Sequence, residues 1–167
     1  MHQELQIIKD LLFKSIGLEL SHVVAESESK AYSAHSFELG NFTVKFRTAK
    51  ITPTKTGQFV TLWKRNVSGI TAAYELSDKF DYCLIATREG SNFGVFIFPK
   101  TVLHHNKILS DDFRDGKRGF RIYPPWSTIT NNQAQKTQLW QSHFFISLPH
   151  DNRIDTDKLN KLLQIDL

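Results

Sequence analysis

One cysteine and one methionine stand among 167 residues. Cys83 therefore has no partner for an internal disulfide, and paired metal-binding cysteines are excluded at once. Proline, with five residues, and glycine, with eight, are too few for a flexible linker or a low-complexity segment. Apolar runs are short, and none approaches the roughly 20 residues of a membrane-spanning helix. Met1 to Ile16 intersperse Glu4, Lys9, Asp10 and Lys14 with apolar positions, so they lack the basic start and apolar stretch of a secretion signal. These absences lead us to expect a soluble domain in a reducing cytoplasm, with Cys83 a small core residue in the run Tyr82-Cys83-Leu84-Ile85-Ala86.

Acids are missing from two long stretches. None occurs between Glu38 and Glu75, where Lys45, Arg47, Lys50, Lys55, Lys64 and Arg65 fall. None occurs between Asp115 and Asp151, which hold Lys117, Arg118, Arg121 and Lys136. Against a net charge of +4, these ten positives leave −6 for the rest of the chain. Charge segregated in this way suits a polyanion-facing surface. A composition 40% hydrophobic and 12% aromatic is enough to fill the core of one domain spanning residues 1–167 without a structural metal.

From Glu4 to Ile16 apolar residues recur at three- and four-residue spacing, which predicts an amphipathic first helix. Ser21 to Ser33, rich in serine and charge, reads as a loop. His35–Leu39 and Phe42–Ile51 flank Gly40-Asn41 and predict a β-hairpin, with Lys45 and Arg47 on the face opposite Val44 and Phe46. Beyond Pro53, Gln58 to Arg65 predicts a third antiparallel strand. The apolar runs Phe80–Thr87 and Phe93–Phe98 read as central strands covered on both faces. Lys100–Leu109 is expected to hold a helical turn and 110–119 a surface loop. Tyr123-Pro124-Pro125-Trp126 forms a stiff corner. Thr130 is placed to cap a helix from Asn131 to Ile146, and an Asp-capped helix from Thr156 to Leu163 closes the chain.

Phosphate loops, dinucleotide glycine patterns and nucleophile elbows are all absent. His104-His105 has no acidic third ligand nearby in sequence and reads as surface. The strings from Arg47 through Lys50 and Lys55 to Trp63-Lys64-Arg65, then Gly116-Lys117-Arg118-Gly119-Phe120-Arg121-Ile122-Tyr123-Pro124-Pro125-Trp126, then Gln135-Lys136-Thr137-Gln138-Leu139-Trp140, resemble the MepB-like family over about Tyr32 to Phe145. That family takes its name from a gene carried beside a multidrug efflux pump and its regulator.

The resemblance implies an α/β (α+β) fold like that of restriction endonucleases and tRNA endonucleases: a helix, a three-stranded antiparallel meander, then a helix and further strands in a mixed central sheet. In active members of that superfamily, an acid and an acid-x-Lys triplet hold a divalent metal that activates water. The triplet falls here at Thr48-Ala49-Lys50, and Thr48 supplies no anionic ligand. Glu38, with Glu26 or Glu28 as a stand-in, and Lys50 are the catalytic candidates. Glu38 and Lys45 read equally as a cross-strand charge pair.

The expectation is a nucleic-acid-binding protein on a nuclease-like scaffold with an incomplete metal and carboxylate site, leaning away from an enzyme, with no cofactor unless magnesium serves the nuclease alternative, that engages DNA or RNA and no membrane. Its binding set is Arg47, Lys50, Lys55, Gln58, Lys64, Arg65, Lys117, Arg118, Arg121 and Trp126. Gln58 reads also as a turn residue, and Trp63, Trp126 and Trp140 chiefly as packing. The alternatives are a magnesium-dependent nuclease with relocated carboxylates, and a small-ligand or protein-interaction accessory domain linked to drug efflux and docking through the Trp126 corner.

Overall fold

The computed structural model describes residues 2–164. Its first element is α1 (Gln3–Ile8), which the chain extends through a wider π turn, Lys9–Phe13, and a 3-10 turn, Lys14–Ile16. His2 caps it, its Nδ1 accepting from the Glu4 amide at 3.2 Å. Leu5, Ile8, Leu12 and Phe13 are all fully buried on one side of this segment, as the spacing predicts.

The strands are β1 (Leu20–Ala25), β2 (His35–Leu39), β3 (Phe42–Thr48), β4 (Lys50–Ile51), β5 (Gln58–Thr61), β6 (Trp63–Arg65), β7 (Thr71–Ala73), β8 (Tyr82–Glu89), β9 (Asn92–Pro99), β10 (Gly119–Ile122) and β11 (Phe145–Ser147). Later helices are α2 (Lys100–His105), α3 (Asn132–Ser142) and α4 (Thr156–Leu162). Six strands form the central sheet in the order β1-β2-β3-β8-β9-β11. Every pairing in it is antiparallel except β3 with β8, so the sheet is mixed and the architecture α+β. A second sheet runs β10-β5-β4, and β6-β7 form a two-stranded ribbon.

The central strands β8 and β9 are buried on both faces, as their unbroken apolar runs predict. One apolar cluster packs α1 and α4 against one side of the sheet, including Leu12, Val44, Leu84 and Leu159. The other joins the opposite side to the small sheet and includes Val60, Ile85, Phe98 and Ile122. Cys83 lies in this second layer, where burial pushes its thiol up to about 12.

Five expectations are corrected. Residues 21–33 are not all loop: Leu20–Ala25 is a strand on β2, irregular between Ser21 and Val24, with His22 at φ 52°. It lies at a sheet edge with mostly exposed side chains, so it lacks the apolar alternation that marks a strand in sequence. The predicted third strand, Gln58 to Arg65, splits at Leu62 between the small sheet and the ribbon. The meander is instead β1-β2-β3, because β8 occupies the other edge of β3 and turns the chain away at Ala49.

Lys45 and Arg47 do not face solvent, because the second layer covers that side, and Arg47 is 0% exposed. The predicted helix to Ile146 stops at Ser142, with Asn131 rather than Thr130 capping it by accepting from the Gln133 and Ala134 amides. Phe145 then joins the sheet because Gly94 on β9 leaves room for its ring. A Cβ there would stand 2.2 Å from Phe145 Cζ. Gly94→Ala is expected to lower stability by about 1 to 3 kcal/mol, read from the urea unfolding midpoint. A change below a few tenths would mean that Phe145 shifts freely and does not fix β11 on the edge.

Candidate functional site

The outer face of the small sheet carries a row of cationic and aromatic side chains. Lys50 on β4 pairs with Phe59 on β5, and Phe59 pairs with Arg121 on β10, so the three stand in one row across the sheet. Alternation puts Gln58, Val60, Phe120 and Ile122 inward and leaves Phe59, Thr61 and Arg121 outward. Gly119 lets Phe59 lie across β10, since a Cβ at that position would meet the ring at 2.6 Å. Tyr32 stands edge-on to Phe59 at 6.3 Å between centroids, and the Lys50 ammonium sits 4.9 Å above the Tyr32 ring.

Three confluent hollows run along this face. The central one, of about 550 Å³, lies between β10 and α3 and includes Phe59, Lys107, Lys117, Arg121, Tyr123 and Trp140 in its lining. It shares Arg121, Tyr123 and Gln133 with a hollow of about 400 Å³ that reaches Lys55. It shares Phe59 and Gly119 with one of about 250 Å³ that reaches Trp63 and Arg118. Among the described residues no Asp or Glu lines any of the three. The two acid-free segments therefore meet, because β10 of the second pairs with β5 of the first.

The wall is held by buried polar bonds. Gln141, fully buried on α3, accepts from the Tyr123 amide at 2.8 Å and donates to the Arg121 carbonyl at 3.0 Å. Arg121 itself donates to the Thr52 hydroxyl and to the carbonyls of Lys55, Thr56 and Gly57, so it also ties down the loop that carries Lys55.

The binding set drawn from the sequence divides. Lys55, Lys117, Arg118 and Arg121 line the groove, and Lys50 stands beside it in the row with Phe59 and Arg121. Arg47 does neither. Its Nη1 donates to Glu26 at 3.2 Å and to the Phe46 carbonyl at 2.8 Å, and its Nε donates to the Thr61 carbonyl. Its Nη2 is buried without a partner among the described residues. Lys45 also reaches Glu26, at 3.3 Å, and Tyr74 donates its hydroxyl to the same carboxylate at 3.2 Å. Burial, and then the Glu26 charge, raise the Tyr74 phenol.

Lys64 pairs with Asp78 at 2.8 Å and Glu75 at 3.1 Å; burial opposes its charge, but these partners outweigh it and raise its ammonium above the ordinary value. Arg65 stacks on Trp63 at the ribbon, 5.5 Å from the ring. Gln58 faces inward at 1% exposure and donates to the Arg88 carbonyl, so it is not a surface residue. Trp126 donates its indole N–H to Glu89 at 3.0 Å and packs on Phe145, away from the groove lining. Lys136 is exposed on α3.

The catalytic candidates are not brought together. Glu38 is opposite Thr43, five residues and roughly 16 Å before the end of β3 at Thr48, beyond which the chain turns off to Lys50 in the other sheet. It pairs with His22 at 2.9 Å, and Lys45 is opposite Ser36, so the predicted Glu38–Lys45 pair does not form. Glu26 is held by Lys45 and Arg47, and Glu28 accepts from the Ser27 hydroxyl, which lowers its carboxyl. Thr48 meets the Ser33 hydroxyl at 3.1 Å. Among the described residues no group of three or more His, Cys, Asp or Glu side chains is placed to hold a metal. His104 binds Asp111 at 2.7 Å, whereas His105 lines the groove.

Sequence reasoning missed Phe59, Tyr123, Lys107 and Trp140 as groove residues. The alternation that sets Phe59 and Trp63 on one side of their strand was a usable signal. Lys107 carried none, since its place depends on how the turn after α2 meets β10.

Fold and groove together define a mixed α+β protein with a cationic, aromatic-lined surface channel. Among the described residues no helix is long and apolar enough to cross a membrane. The chain belongs to the MepB-like family, which it matches over residues 26–147. It is similar to the solved crystal structure of MepB, at 31% identity and a TM-score of 0.77, over 88% of this chain and 97% of that one. No curated protein matches it.

Proposed function

We propose that this protein binds nucleic acid along the groove on the outer face of β5 and β10. The observation that carries the reading is the convergence of Lys55, Lys107, Lys117, Arg118 and Arg121 on one concave face with no acid in its described lining. A phosphate backbone is the polyanion whose repeated charge such a row fits. The helix, the antiparallel β1–β3 meander and the further strand β8 support a restriction-endonuclease-like scaffold, with the small sheet standing where the resemblance puts a second helix.

A magnesium-dependent nuclease is the weaker reading. Glu38 and Lys50 are far apart, and Glu26 is already neutralised by two cations. Docking of a protein through Trp126 is weaker too, because Glu89 takes its indole N–H.

The test is fluorescence anisotropy with labelled DNA and RNA over a salt series. If four groove cations each meet a phosphate, log K falls against log salt with a slope of about −3 on a single strand. That is a loss of about 50-fold between about 50 and 200 mM salt. A flat response would overturn the proposal. Gel analysis of the same mixtures with magnesium or manganese reads out cleavage, and strand cutting abolished by Lys50→Ala would restore the nuclease.

A further inference from the structure

We infer that the groove takes single-stranded nucleic acid with its bases unstacked onto Phe59, Tyr123 and Trp140, rather than duplex. The inference rests on the binding reading above and specifies its substrate. A surface that meets only the duplex backbone needs cations alone. This groove alternates them with rings: Phe59 belongs to both the middle hollow and the one at Arg118, and Tyr123 to both the middle hollow and the one at Lys55. Arg121 stands between them, opposite Phe59 in register and two residues before Tyr123.

The shape makes the same distinction. In a duplex the faces of the bases are covered by their neighbours, and only edges and phosphates are reachable from a groove. Rings recessed in a concavity gain a base face only when the base leaves its stack. The middle hollow, at about 550 Å³, is of a size that takes small molecules, and Gln133 adds an amide side chain to its lining. Amides of this kind hydrogen-bond to the base edges that a single strand leaves free.

Phe59 and Trp140 are also positioned to remain in place. Phe59 is supported by Tyr32 and by the space at Gly119, and Trp140 leans on Phe98 at 5.5 Å between centroids. Such rings offer stacking surface without a large ordering cost on binding.

The experiment compares three labelled probes on the wild-type chain: an oligothymidylate of about twelve nucleotides, the same length made of abasic sites, and a hairpin duplex of equal phosphate number. The intact strand is expected to bind at least tenfold more tightly than the abasic one, and Phe59→Leu or Tyr123→Leu to remove about tenfold from the intact strand only. Equal binding of all three probes, or a duplex bound most tightly, overturns the inference while leaving a general phosphate-binding groove. Failure of all three to bind overturns both. Because the decisive comparison uses the wild-type chain, loss of folding in a variant does not blur the result.

Discussion

Glu26→Ala is expected to destabilise the fold by about 3 to 5 kcal/mol, the cost of removing one partner from a buried ion pair. Arg47 has no exposed surface and Lys45 keeps only 18% of its side chain accessible, so neither has an easy route to water once the carboxylate is gone. Arg47 Nη2 already has no partner among the described residues, and the substitution would deprive Nη1 of its anion as well. Such a loss is a large part of the roughly 5 to 15 kcal/mol that holds an ordinary domain.

Urea unfolding followed by circular dichroism measures it, and a drop below about 1 kcal/mol would mean that the two cations find solvent or another anion. The paired change Glu26→Leu with Arg47→Met is expected to cost less than Glu26→Ala alone, because it leaves only the partly exposed Lys45 without its anion instead of both Lys45 and the fully buried Arg47. That comparison separates an ion-pair effect from a simple loss of packing. It also decides what Glu26 is for: a carboxylate whose removal chiefly unfolds the protein is a structural counterion to Arg47 and Lys45.

The second large effect is on binding. Reversing two groove cations together, Lys117→Glu with Arg118→Glu, is expected to weaken nucleic-acid affinity about 100-fold. Two charge-assisted hydrogen bonds at about 1.5 kcal/mol each account for that factor. The salt slope on a single strand should flatten by about 1.4, about 0.7 for each phosphate that the groove no longer holds. Reversing Lys14 and Lys161, exposed on the helical side of the central sheet, makes the same change in net charge and is expected to leave affinity within about threefold at physiological salt, where screening acts within about 8 Å. If both double variants weaken binding equally, attraction is to the overall charge and the groove has no special part. Arg118 donates to the Thr71 hydroxyl at 3.0 Å, so a thermal melt of the variant should accompany the titration.

Parts of this fold are legible in the chain because local periodicity already carries their burial. The helical spacing from Leu5 to Ile16, the Gly40-Asn41 hairpin and the unbroken apolar runs of β8 and β9 are of this kind. β1 is not, since an edge strand with exposed side chains has no pattern to betray it. Nor is the split of Gln58–Arg65 between two pairings, which depends on β8 taking the free edge of β3 from a distance in sequence.

The candidate site divides in the same way. Two acid-free segments rich in Lys and Arg are a property of the sequence by itself, fixed by composition before any folding. Which of their cations reach water is not. Lys45 and Lys50 are five residues apart, yet one is drawn inward to Glu26 and the other lies exposed beside Tyr32. Arg47 reads as an outward strand residue until a second layer covers its face. Burial of a charge depends on what packs over it, and only the tertiary structure brings β5 and β10 together to make an interior on one side and a groove on the other.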